Sequence, residues 1–247
     1  MRIITTNKTK LFLPTLIVTS LLLLFNSMWS KSAVLVKDKQ WQKGMVLNVV
    51  FLDGSLAQQQ LVKDTAPKWL NKTSLSFKFF NGLTNAPKLT HIRISFSLHS
   101  GSRLGNHGDY LSTYSTMNLF DLTTNRLSDN SAQRLILHEF GHALGFEHEY
   151  RSQYWPYGHQ VIDQITQTCY PRMELIGYSK ESAKKRCKKI NASINPSQYL
   201  VTAYDEASIM NYPISFIQLD GNQKEIKAAT KLSYLDLHAI QQWYGKN

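Results

Sequence analysis

Cysteine, proline and acidic side chains are scarce in this chain of 247 residues, with 2 Cys, 7 Pro and 17 Asp+Glu. Two cysteines cannot make the disulfide framework of a small secreted scaffold. So little proline, beside 12 Gly, excludes collagen-like and Pro/Gly-rich disordered chains, and 43% hydrophobic content excludes a charge-rich disordered one. No repeat or low-complexity segment is present, which removes solenoids and arrays. What remains is a globular chain. At about 100 to 200 residues per domain it forms one large or two small domains with a real core.

The shortage of acid leaves 28 Lys+Arg against 17 Asp+Glu, a formal charge of +11. That suits nucleic acid, a membrane surface or an anionic polymer. No nucleic-acid reading module accompanies it, so no nucleic-acid partner is expected. Part of the charge sits in the first 32 residues, where Arg2, Lys8 and Lys10 precede an apolar run over residues 11–25 (LFLPTLIVTSLLLLF). This is the layout of a secretory signal peptide, with Ser30 and Ser32 suiting cleavage after Ser32. The rival reading is an uncleaved membrane anchor through residues 11–29, and either places the rest outside the cytoplasm: secreted, periplasmic or extracellular, or held at the membrane. Removing residues 1–32 takes away four positive charges with Lys31, giving 11 − 4 = +7.

Cys169 and Cys187 fit an exported chain as one disulfide, closing a loop of about 17 residues and contributing on the order of 3 kcal/mol. Earlier, residues 45–52 (MVLNVVFL) read as a strand followed by the turn Asp53-Gly54. Ser55 then caps a helix over residues 56–70 that Pro67 kinks or ends. Residues 75–80 and 91–98 alternate as strands, the latter with Ile92, Ile94 and Phe96 on one face, and residues 115–119 form a further short strand. The Gly-rich stretch 101–108 reads as a loop or irregular edge near something functional, or equally as a plain surface loop.

Residues 131–146 (SAQRLILHEFGHALGF) carry the chemistry. His138 and His142 are four residues apart, one turn apart on the same helix face, where both imidazoles can converge on an ion held at about 2.0 to 2.1 Å. A helix running on to His148 would carry it about 15 Å beyond His138, out of reach. The helix must therefore stop, and Gly145 stands where a positive-φ residue ends a helix and turns the chain back. The whole reads H-E-x-x-H-x-x-G-x-x-H, expected by chance in roughly one such chain in 10⁵.

With this motif the sequence resembles the metzincin zinc peptidases, and among them the astacin-like branch and its bacterial relatives. Gly145-Phe146-Glu147-His148-Glu149 is similar to the astacin-type G-F-x-H-E ending, and Ser208-Ile209-Met210-Asn211-Tyr212 to the S-x-M-x-Y of the Met-turn. Met210 follows His148 by 210 − 148 = 62 residues, and Leu232-Ser233 with Asp236 resembles the closing L-S-x-x-D segment. Trp41, Gly44, the turn at Phe51-Leu52-Asp53-Gly54 and the strands at 92–96 and 116–119 extend the likeness across residues 41–246. The resemblance implies an α+β, zincin-like catalytic domain: a mixed twisted sheet with two long helices, then a less regular C-terminal subdomain, with a substrate cleft between. The expected divisions are 1–32, the leader or anchor, and 33–247, the catalytic domain, split into 33–148 and 149–247.

Three neutral imidazoles, His138, His142 and His148, leave one catalytic Zn2+ an open position for water, whose pKa falls from about 15.7 towards about 7. Glu139, beside two ligands but not itself one, is the candidate general base, passing the water's proton to the leaving amine. Tyr212 stands where astacin-like enzymes place an extra ligand or oxyanion donor, with a buried core tyrosine as its bland alternative. Met210 is an apolar floor beneath the histidines. The expected function is an exported zinc-dependent endopeptidase acting on proteins or peptides, a monomer by default. The alternative is a non-catalytic zinc-containing module that binds an anionic surface or partner.

Three features depart from the family. Glu149 matches the Glu that astacins tie to the mature amino terminus, yet no processing site that would create this terminus is evident. About eight residues between the cleavage point and Trp41 are too few for a blocking pro-segment, which implies secretion without a zymogen stage. The segment with Lys184-Lys185-Arg186 and Lys188-Lys189 matches nothing in the family and reads as a solvated basic helix, or as a docking site for an anionic surface. Arg151 has an equal claim to the cleft and to the surface.

Overall fold

The computed structural model describes residues 33–246 apart from 98, 124–127, 176, 193, 202 and 219. The expected leader, residues 1–32, lies outside the described residues. Among the described residues no helix is long and apolar enough to cross a membrane.

The elements run β1 (Val34–Val36), β2 (Val46–Phe51), α1 (Leu56–Thr65), β3 (Ser76–Asn81), β4 (Ile92–Ser95), β5 (Gly101–Ser102), β6 (Met117–Asn118), α2 (Asp129–Ala143), α3 (His159–Leu175), α4 (Lys180–Asn191), β7 (Tyr199–Val201), β8 (Ile214–Ile217), β9 (Gln223–Ile226) and α5 (Tyr234–Tyr244). Five strands form one mixed sheet in the order β3-β2-β4-β6-β5, parallel except for the antiparallel β5–β6 pair at the edge. Two small antiparallel ribbons, β1–β7 and β8–β9, lie outside it.

Local chemistry sets the boundaries. Ser55 and Gln58 make a reciprocal capping box at the start of α1, and the helix gives way to a 3-10 turn over Ala66–Leu70, where Pro67 lacks the donor an α-helix needs. The strand expected over 91–98 is regular only through Ser95, because the next amide, Phe96 N, donates to the Asp53 carboxylate at 2.6 Å. It is buried on both faces, as suits an inner strand. On the face opposite Ile92 and Ile94, Arg93 is wholly buried, donating to the carbonyls of Tyr114, Thr90 and Asp109 at 2.6, 2.9 and 2.9 Å.

The principal core joins sheet and helices through Leu47, Val49, Phe51, Ile94, Met117, Ile136, Phe140 and Trp69. A second cluster, Tyr150, Trp155, Val161, Ile165, Phe216 and Ile226, is drawn entirely from residues beyond 148. There α3 and α4 pack as a helical hairpin joined by the Cys169–Cys187 disulfide. The six basic side chains of α4 are exposed and its Ala183, Cys187 and Asn191 are buried, the pattern of a solvated basic face.

Candidate metal centre

Helix α2 starts at Asp129, two residues before the expected Ser131, because the Ser128 hydroxyl caps it by accepting from Ser131 N at 3.3 Å. It ends as the motif requires: Gly145 takes φ 100° and the chain reverses. The carbonyls at that end are engaged by distant groups. His142 O, which already accepts from Gly145 N at 2.8 Å, also accepts from Gly105 N at 2.8 Å, Ala143 O accepts from Trp41 Nε1 at 2.8 Å, Leu144 O from the Tyr244 hydroxyl at 3.0 Å, and Gly145 O from Val36 N at 3.1 Å. The Gly-rich stretch 101–108 is thus, through Gly105, part of the support of this helix end. The carbonyl end of a helix also carries partial negative charge, which favours a cation.

His138, His142 and His148 come together, with a ligand atom from each within 4.8 Å of the others. Each ring has its Nδ1 committed. His138 Nδ1 donates to Ile209 O at 2.9 Å and His142 Nδ1 to Phe146 O at 2.8 Å. His148 Nδ1 lies 3.1 Å from the Tyr150 hydroxyl, which donates its own proton to Asn191 Oδ1 at 2.6 Å and so accepts from the imidazole. All three Nε2 atoms therefore carry lone pairs. His138 Nε2 is buried without a hydrogen-bond partner, and the Nε2 atoms of His142 and His148 face each other at 3.1 Å. Converging lone pairs repel unless a cation sits among them, so this donor set fits zinc. Burial, followed by the neighbouring imidazoles, holds His138 and His148 well below the usual histidine pKa, and burial lowers His142 as well. Neutral rings are what a metal requires.

Around the triad, Glu139 is buried on α2 directly after His138. Tyr212 stands with its ring centroid 4.5 Å from that of His148 and 5.4 Å from that of His138. Met210 is fully buried against Gly141, where a Cβ would overlap its sulfur. The Met-turn is held from behind by α5: Asp236 accepts from Ser208 Oγ at 2.6 Å, Ile209 N at 2.9 Å and Ser233 N at 2.8 Å. Burial pushes the Asp236 carboxyl up to about 6 against the pull of those donors.

Arg134, one turn ahead of His138, was not singled out from the sequence. Its guanidinium donates to Asn211 O at 3.0 Å and lies within electrostatic reach of Tyr212 and Glu139. Its i−4 spacing from His138 was the available signal. Tyr150 and Asn191 also escaped notice, because no local pattern links residues 41 apart. Arg151 pairs with Glu147 at 2.5 Å and reaches Ala192 O at 3.2 Å. Glu149 is buried and accepts from Asp205 N at 3.3 Å.

A mixed sheet beneath a helix bearing two histidines, with a glycine turn returning a third above a methionine floor, defines the metzincin class. No family model and no curated protein matches the sequence. Solved structures do: one structure of myroilysin has a TM-score of 0.68 and 28% identity, over 87% of this chain and 99% of that one, and a second has 0.58 and 27%, over 85% and 87%. High choriolytic enzyme 1, a hatching enzyme zinc-protease from the medaka fish Oryzias latipes, shares the fold at a TM-score of 0.50 and 16% identity, over 83% of this chain and 93% of its own. In fold and in the geometry of its three-histidine site the chain is similar to the astacin-like metzincins, among the zinc metallopeptidases.

Proposed function

We propose that this chain is an exported zinc-dependent endopeptidase that hydrolyses protein or peptide substrates. The observation that carries the reading is the convergence of three imidazoles with every Nδ1 engaged, leaving three Nε2 lone pairs for one ion. Zinc, when bound there, makes a water acidic near neutral pH and polarises a carbonyl. Glu139 takes the proton of the attacking water on its carboxylate and delivers it to the departing amine nitrogen. Tyr212 offers its hydroxyl to the oxygen that becomes negative as the carbonyl carbon turns tetrahedral. The Arg134 guanidinium adds positive charge beside both residues. Export rests on the leader-like residues 1–32 and agrees with the Cys169–Cys187 bond, since such bonds persist in oxidising compartments. Residues 33–148 and 149–247 form the two subdomains of the catalytic unit.

The test is zinc content per chain together with cleavage of casein, with and without a chelator, on the full chain and on Glu139→Gln. One zinc per chain, chelator-sensitive cleavage and a loss of about 10²-fold to 10⁴-fold in the variant, with its zinc retained, are the expected results. Zinc without cleavage in the parent chain would instead favour a binding module.

A further inference from the structure

Two consecutive residues after the third histidine reach across to the end of α4. Arg151 grips Ala192 O, and Tyr150 places its hydroxyl on Asn191 Oδ1 at 2.6 Å. Tyr150 is buried, its ring lying nearly parallel to that of His148, 16° apart, with centroids at 5.1 Å. Asn191 is buried too, and it stands one helical turn after Cys187, the residue bonded to Cys169 of α3. The Phe146 and Ile209 carbonyls that serve His142 and His138 can only accept. A hydroxyl can do either. If the Tyr150 proton turned towards His148 Nδ1, the imidazole would keep its hydrogen on Nε2, the atom needed by a metal.

We propose that Tyr150 is a positioning residue for His148, and that Asn191 fixes the direction of its hydroxyl. The disulfide-joined hairpin α3–α4 thereby determines which nitrogen of the third histidine is free for the metal. Asn191 works as an acceptor: by taking the phenolic hydrogen it leaves the phenol oxygen able to receive the Nδ1 hydrogen. This assignment rests on the three-histidine zinc site proposed above, and it gives the segment between His148 and the Met-turn a role at that site.

The experiment measures zinc affinity by competition with a chromogenic chelator, and the His148 tautomer by ¹⁵N NMR of the metal-free protein. It uses the full chain and its Tyr150→Phe, Asn191→Leu and Asn191→Asp variants, with circular dichroism recording the fold of each. Loss of a hydrogen-bond partner behind a metal-binding histidine weakens affinity by about 10-fold to 100-fold. That loss is expected for Tyr150→Phe and Asn191→Leu, with the double variant no weaker than the worse single one. In Asn191→Leu the His148 hydrogen should move from Nδ1 to Nε2. Aspartate can only accept here, so Asn191→Asp should keep both the tautomer and the parent's affinity within about threefold. Unchanged affinity in folded Tyr150→Phe, an unchanged tautomer in Asn191→Leu, or equal losses in the Leu and Asp variants would each overturn the assignment while leaving the peptidase reading intact. A parent chain that takes up no zinc would overturn both.

Discussion

Gly141 lies between the two histidines of α2, and its replacement by alanine tests how the floor of the site is built. An ordinary helical glycine gains about 1 kcal/mol from this change. Here the new Cβ would overlap the Met210 sulfur and lie 3.2 Å from Met210 Cε and 3.0 Å from Trp69 Cζ2. Neither neighbour has room to move: both are fully buried, and Trp69 is fixed by its bond from Nε1 to Leu137 O at 2.8 Å. Overpacking of this kind costs about 1 to 3 kcal/mol, so Gly141→Ala should destabilise by up to about 2 kcal/mol once the helical gain is subtracted. Chemical denaturation of the metal-free protein is the assay. Met210→Ala alone should cost about 2 to 5 kcal/mol, and the double variant should lose at least about 1 kcal/mol less than the sum, because the new methyl enters the space that the methionine leaves. A Gly141→Ala variant stabilised by about 1 kcal/mol, or strict additivity, would show that Met210 is not seated against this helix.

Other outcomes follow from the same structure. The lowered pKa values of His138 and His148 mean that the unfolded chain binds protons more readily, so their contribution to stability is complete above pH 6.5 and is lost as pH falls through the folded values. Metal-free protein should therefore lose stability between pH 7.5 and 5.5 relative to a His138→Phe/His148→Phe variant; parallel pH profiles in urea denaturation would contradict this. Asp236→Asn should cost about 1 to 3 kcal/mol in thermal or urea unfolding, since Ile209 N and Ser233 N can only donate and the one amide oxygen must serve both while the NH₂ displaces the proton of Ser208 Oγ. No loss would mean that α5 does not hold the Met-turn. Replacing Cys169 and Cys187 by serine should cost about 2 to 4 kcal/mol, read as a lowered denaturation midpoint under non-reducing conditions.

The metal site was the most legible part of the chain because coordination geometry fixes spacing. Two imidazoles on one helix face demand four residues, and the third demands a turn, which Gly145 provides at φ 100°. Ser55 and Pro67 were equally plain, since capping and the missing proline donor act within a few residues. The closing Ser233 and Asp236 were recognised only through family likeness; their physical work, a capping box whose carboxylate also holds the Met-turn, needed the fold. The buried Arg93 could not be foreseen, because its hydrogen bonds run mainly to backbone carbonyls of the loops around it and its ion-pair partner, Asp109, lies 16 residues away with no periodic spacing to mark it. Nor could β1 or the α3–α4 hairpin, whose partners are chosen by contacts across the whole chain.

The seating of β1 bears on when this protein becomes competent. Val34 is matched with Val201 on one side, and on the other Val34 O and Val36 N bond to Glu147 N and Gly145 O, the turn that delivers His148. The third metal ligand is therefore backed by a ribbon whose strands are far apart in the chain, Val34 and Val201 being 201 − 34 = 167 residues apart. Closing so long a loop is slow compared with forming the local contacts of α2. A chain emerging from synthesis would hold His138 and His142 on their helix before this ribbon could close. Metal capture at full strength would then report that the chain has been made through β7, a form of timing built from topology alone.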